Sequence, residues 1–145
     1  MSTNYHQVTC CDPRCIPEQY FDLTHLQAIV HRNAGGAIRD ALRDILILDT
    51  LFKLEEIAIV HHTDCGTLCF TDDQIRSSVK EWVDKAHWAE IDEMAFGGKS
   101  DIVQGVKRDL QWVRESPFIR DALKKGTQGF VFDLKTGKVD KVEME

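Results

Sequence analysis

The chain has 145 residues, 43% hydrophobic and 29% charged, with a formal net charge of −6. That length suffices for one domain spanning 1–145 with a real core and no disulfide support, and the composition is that of a globular protein rather than a disordered one. The acidic balance argues against nucleic acid or an anionic membrane as the main partner, because either favours a basic face; a small neutral or anionic ligand remains.

The N-terminus, MSTNYHQVTC, lacks the basic-then-apolar pattern of a secretory signal, which predicts a cytoplasmic protein. The longest apolar run, ILILDTLF, is broken by Asp49 and falls far short of the roughly 20 residues a membrane span needs. In a reducing compartment the five cysteines read as metal ligands, catalytic groups or small buried hydrophobes rather than disulfides.

In chain order, 5–10 and 27–31 read as short strands, each running into turn residues: Asp12-Pro13 after the first, Asn33 and Gly35-Gly36 after the second. Apolar residues from Ile38 to Phe52 recur at spacings near three and four and predict an amphipathic helix. A strand follows at 55–61, so strand, helix and strand suggest a crossover and a parallel sheet. Helices are predicted from Asp72 to Val83, capped by Thr71, and from Asp101 to Val113, capped by Ser100, with a loop or short helix between. Near the end, GFVFDL and KVDKVEM form two strands around the turn signal K-T-G. The expected class is α/β, with a central, mainly parallel sheet flanked by helices.

Two short clusters carry the chemistry. At 10–14 the chain reads C-C-D-P-R; in extended form Cys10, Asp12 and Arg14 project to one side, leaving Cys11 as a buried hydrophobe on the other. At 61–66 it reads H-H-T-D-C-G, and His62 and Cys65 can turn toward one ion. Carboxyl ends of neighbouring parallel strands open into a shared crevice, so Cys10, His62 and Cys65 would make a Cys₂His set, the arrangement of a catalytic zinc with its fourth position open.

C-x-D-x-R followed by H-x-x-C-G resembles the β-carbonic anhydrase family. The likeness extends through Arg32-Asn33-Ala34-Gly35-Gly36, Phe70 to Asp73 and the final GFVFDLKTGKV. It is closest to the short branch without a long N-terminal arm, which includes carbonyl sulfide hydrolases as well as carbon dioxide hydratases. One departure is Cys65-Gly66-Thr67, where short members often carry C-G-M.

The resemblance implies one Zn²⁺ per chain, a homodimer or dimer-based tetramer, and water attacking carbonyl sulfide or carbon dioxide, with a lean toward carbonyl sulfide. Asp12, kept ionised by Arg14, could only accept a hydrogen bond and would orient that nucleophile. Gly35, Gly36 and Gly66 would let backbone approach the site.

The competing readings are a structural zinc completed by Cys15 or Cys69, and a redox thiol at Cys11 or Cys15 activated by Arg14. Gly97-Gly98-Lys99-Ser100 is only part of a phosphate loop, with Glu93 where that motif needs glycine, and reads as a turn before a helix. His61 points away from His62 toward packing or a supporting hydrogen bond. His6, His25, His31 and His87 read as surface or packing residues, and Trp82, Trp88 and Trp112 as core or subunit-interface packing.

Overall fold

The computed structural model describes residues 4–23, 28–98 and 100–144. Five strands form one sheet: β1 (Tyr5–Cys10), β2 (Ile29–Asn33), β3 (Glu56–His62), β4 (Thr127–Phe132) and β5 (Val139–Val142). Their spatial order is β2-β1-β3-β4-β5, with every neighbouring pair parallel except the β4–β5 hairpin. The chain leaves β1 for β2 on one side and returns to β3 on the other, which makes the carboxyl ends of β1 and β3 a topological switch point. Both predicted clusters sit at that point.

The helices are α1 (Pro17–Tyr20), α2 (Leu42–Phe52), α3 (Asp72–Lys80), α4 (Trp88–Glu93), α5 (Ile102–Glu115) and α6 (Asp121–Lys125). Val8, Ile57 and Ile59 pack on one sheet face against Ile38, Ala41 and Ile45, Val106, Leu110 and Val113, and Leu123. This is the main core, where α2, α5 and α6 bury their apolar stripes. The other face holds Cys15, Ala58, Val60 and Phe132, with Tyr20 stacked on Phe132 at 4.4 Å between ring centroids.

Several expectations shift. The second strand is Ile29–Asn33 rather than 27–31, and Gln27, His25 and Lys99 lie outside the described residues. The helix predicted from Ile38 begins at Leu42, because Ile38 and Arg39 carbonyls close tight turns with the Ala41 and Leu42 amides. Thr71 does cap α3, in a reciprocal capping box with Gln74, but that helix ends at Lys80. The cap of α5 is Asp101, whose side chain accepts from the Gln104 amide; it replaces the predicted Ser100 because only the residue before the first helical turn can reach that amide.

Trp82 is 70% exposed and is therefore not core. Trp88 lies beneath the Lys80 and Lys85 ammonium groups, and Trp112 packs partly buried on the core. His6 is wholly buried, His31 meets Asp44, and His87 pairs with Glu90 at the surface. Gly97-Gly98 is a turn whose Gly98 amide is taken by Asp72 Oδ1 at 2.8 Å, so it offers no free amide there to a phosphate.

Candidate metal centre

Cys10 is the last residue of β1 and His62 the last of β3; the turn after β3 carries Cys65 back toward both. Asp64 makes that return possible by adopting a left-handed conformation, φ 54°, which aspartate tolerates better than most residues. The sulfurs of Cys10 and Cys65 and a ring nitrogen of His62 lie within 4.8 Å of one another, and all three residues are buried. Among the described residues this is the one cluster of histidine, cysteine or acid side chains close enough to hold an ion.

The donor set suits zinc. Two thiolates bound at about 2.3 Å to one tetrahedral ion stand roughly 3.8 Å apart, and Cys10 Sγ and Cys65 Sγ are separated by 4.0 Å. His62 Nδ1 is 2.7 Å from the Thr63 carbonyl, so it carries the proton and leaves a lone pair on Nε2. That Nε2 is buried with no hydrogen-bond partner, a costly arrangement in a protein interior unless something binds there. The hydrogen bond from Cys10 holds the Cys65 thiol far below its usual range, against the effect of burial and with help from the Thr67 hydroxyl. The same bond, with burial, pushes Cys10 up.

Asp12 and Arg14 meet through a turn rather than by strand alternation. β1 ends at Cys10, and the Cys15 amide bonds back to the Asp12 carbonyl at 3.0 Å. Asp12 Oδ1 accepts from the Arg14 amide at 2.9 Å, and Asp12 Oδ2 accepts from Arg14 Nη2 at 2.7 Å. Hydrogen bonds from the Arg14 guanidinium and amide hold the Asp12 carboxyl well below the ordinary carboxylate range. Its Oδ2 stands 3.9 Å from His62 Nε2, so a fixed anion faces the cluster. Arg14 Nη1 also reaches Asp64 Oδ2 at 2.8 Å, and an open cavity of about 830 Å³ beside them is lined by Arg14, Thr63, Asp64, Asp133, Leu134 and Lys135.

Because the strand ends early, Cys11 is exposed rather than buried. Cys69 is exposed as well and Cys15, though buried, stands outside the cluster, so neither is grouped with the three donors. Burial pushes the Cys15 thiol up to about 11, which opposes a reactive thiolate there.

The three glycines differ. Gly35 has φ 75° and its amide points at Cys10 Sγ, 3.3 Å away. Gly36 has φ 64°, and a methyl there would meet the Val60 carbonyl oxygen at 3.0 Å. At Gly66 a methyl would touch nothing within 4 Å, so close approach does not require glycine at that position.

Sequence reasoning named Arg32 and Asn33 within the family likeness but gave neither a role in holding this loop. Arg32 donates to the carbonyls of Cys10, Asp12 and Cys15, at 3.2, 2.7 and 2.8 Å. Asn33 brackets the glycine turn, accepting from the Ala37 amide and donating to its carbonyl. The signal for that role was their place in the stretch Arg32-Asn33-Ala34-Gly35-Gly36. His61 is buried with Nε2 3.0 Å from Oδ2 of Asp109, a residue outside the three donors.

Residues 5–139 match the family model described as carbonic anhydrase. Beta-carbonic anhydrase 1 of Mycobacterium tuberculosis is 31% identical over 137 residues, covering 93% of this chain and 79% of the relative. A carbonic anhydrase structure from Glaciozyma antarctica superposes with a TM-score of 0.87 and 32% identity, covering 98% of this chain and 83% of that one. A carbon disulfide hydrolase of Saccharolobus solfataricus is 35% identical over a shorter stretch, 54% of this chain and 37% of the relative.

Proposed function

The chain belongs to the β-carbonic anhydrase family, and from that premise we propose that it hydrates carbon dioxide reversibly to bicarbonate, with one zinc ion held by Cys10, His62 and Cys65. The observation that supports this most directly is a buried two-sulfur, one-imidazole cluster with the Asp12 carboxylate fixed beside it. When bound, zinc supplies the Lewis acidity that makes water nucleophilic near neutral pH.

The protein's own groups then set direction. His62 presents Nε2 because the Thr63 carbonyl holds the proton on Nδ1. Asp12, kept ionised by Arg14, has no proton to give; it accepts a hydrogen bond from the attacking water and turns an oxygen lone pair toward the substrate carbon. Arg14 positions Asp12 through Nε and Nη2 and is itself tethered to Asp64. The positive φ of Gly35 and Gly36 supports their place beside the site.

Carbonyl sulfide, hydrolysed to carbon dioxide and hydrogen sulfide, is the second substrate reading, and the partial likeness to a carbon disulfide hydrolase favours it. Carbon dioxide takes precedence over the lean toward carbonyl sulfide because a carbonic anhydrase matches 93% of the chain at 31% identity, while carbon disulfide hydrolases match 54% of it or, at 27% identity, 76%. Assembly as a homodimer or dimer-based tetramer belongs to the same proposal; among the described residues β2 is an edge strand, paired on one side only. Among the described residues no helix is long and apolar enough to cross a membrane.

The test is a side-by-side assay of zinc-loaded protein, following proton release from carbon dioxide and hydrogen sulfide release from carbonyl sulfide, with Asp12→Ala as control. Faster turnover of carbon dioxide is expected. Faster turnover of carbonyl sulfide would replace the first reading by the second, and activity on neither would remove both.

A further inference from the structure

Each sulfur of the cluster has a hydrogen-bond donor of a different kind. The Gly35 backbone amide reaches Cys10 Sγ at 3.3 Å, and the Thr67 hydroxyl reaches Cys65 Sγ at 3.1 Å. The first is built into the backbone and survives any side-chain change. The second depends on which residue follows Gly66.

A cysteine that ligates zinc does so as a thiolate, which has no proton to give, so the Thr67 hydroxyl 3.1 Å away donates and the sulfur accepts. The geometry holds it there: Gly66–Leu68 forms a tight 3₁₀ turn starting from Cys65, closed by the Leu68 amide on the Cys65 carbonyl at 3.0 Å. Thr67 is half-buried on that turn, and Cys65 is its one hydrogen-bonding side-chain partner recorded among the described residues.

Two anionic ligands cancel the formal charge of a divalent ion, which weakens its action on water compared with three neutral imidazoles. A hydrogen bond to a thiolate withdraws electron density from the sulfur and offsets part of that loss. We propose that Thr67 is a positioning residue for Cys65, its hydroxyl holding the sulfur in place beside Cys10 and His62 and tempering the ligand's charge. This inference rests on the zinc reading above and concerns how this chain tunes that centre.

The test uses the full chain loaded with cobalt(II) or zinc, comparing wild type with Thr67→Val, which keeps the branched shape without the hydroxyl, and Thr67→Ser, which keeps the hydroxyl without the branch. In Thr67→Val the sulfur-to-cobalt charge-transfer band is expected to move to longer wavelength, and zinc affinity measured by chelator competition at pH 7 is expected to fall about tenfold. Thr67→Ser should match wild type in both. A purely packing role would give the reverse pattern, with valine tolerated and serine affected, and would overturn the proposal, as would a Thr67→Val protein indistinguishable from wild type. Wild-type protein that takes up neither metal would instead overturn the zinc reading, and this inference with it.

Discussion

Arg14 grips Asp12 across only two residues of chain, with Nη2 at 2.7 Å from Oδ2 and Nε at 3.0 Å from Oδ1. The planar guanidinium matches the carboxylate in a way that a lysine ammonium would not. Asp12→Asn should therefore retain zinc and lose activity by roughly 10²–10⁴-fold, the range for a group that handles a proton in the reaction. Arg14→Ala should also stay metal-loaded and lose most activity, because Asp12 then loses the contacts that keep its carboxylate ionised and in place. Metal content and turnover measured together check both, and full activity in Arg14→Ala would exclude the positioning role.

Cys10→Ser and Cys65→Ser should each lose stoichiometric zinc, whereas Cys69→Ser and Cys11→Ser should keep it, because only the first pair meets His62. Elemental analysis of the purified variants decides this. Zinc lost equally from Cys69→Ser would restore the structural four-ligand reading.

His6 is wholly buried, and neither ring nitrogen has a hydrogen-bond partner. Burial pushes it down to about 4, with His31 acting in the same direction and Asp44 opposing. The folded value is depressed below the unfolded 6.5, so the unfolded chain binds the extra proton first. Stability is fully present above about pH 6.5 and falls as pH drops toward 4, by on the order of 3 kcal/mol for a shift of this size. Denaturant titrations from pH 7 to 4 should show this slope in wild type and a flatter one in His6→Gln. Parallel slopes would show that His6 is not the group responsible.

Arg32 ties down the loop that carries Asp12 through three backbone carbonyls. Arg32→Ala should cost about 2 kcal/mol, since bonds from a charged donor contribute roughly 1.5–3 kcal/mol. Arg32→Lys should recover only part of it, because an ammonium cannot span the same fork. Chemical denaturation of the two variants measures the difference.

Gly36→Ala and Gly66→Ala should separate cleanly. The first forces a positive φ on alanine and brings its methyl to 3.0 Å from the Val60 carbonyl oxygen, a destabilisation of about 1–3 kcal/mol. The second adds a methyl in open space and should shift thermal stability little. Similar melting temperatures for both would contradict the close packing of the Ala34–Gly36 turn.

Much of this protein is legible in its residue order because the relevant interactions are local. Short runs bounded by turn residues mark β1 and β3, three-and-four spacing marks α2 and α5, and the Thr71/Gln74 pair marks the start of α3. C-x-D-x-R and H-x-x-C each name their residues within one turn or strand end, so the candidate donors could be picked without coordinates.

What tertiary structure alone decided is which of those residues meet, and on which side. A sheet ordered β2-β1-β3-β4-β5 brings residues 10 and 65 to 4.0 Å between sulfurs, a separation that no local rule encodes. The same sheet ends β1 one residue before Cys11 and so exposes a thiol that alternation would have buried. Arg32 on the three carbonyls of 10–15 and Thr67 on the Cys65 sulfur are likewise products of the turns after each strand. Periodicity fixes which side of a strand a residue faces only while pairing lasts; beyond the last ladder bond, long-range packing sets where the chain turns.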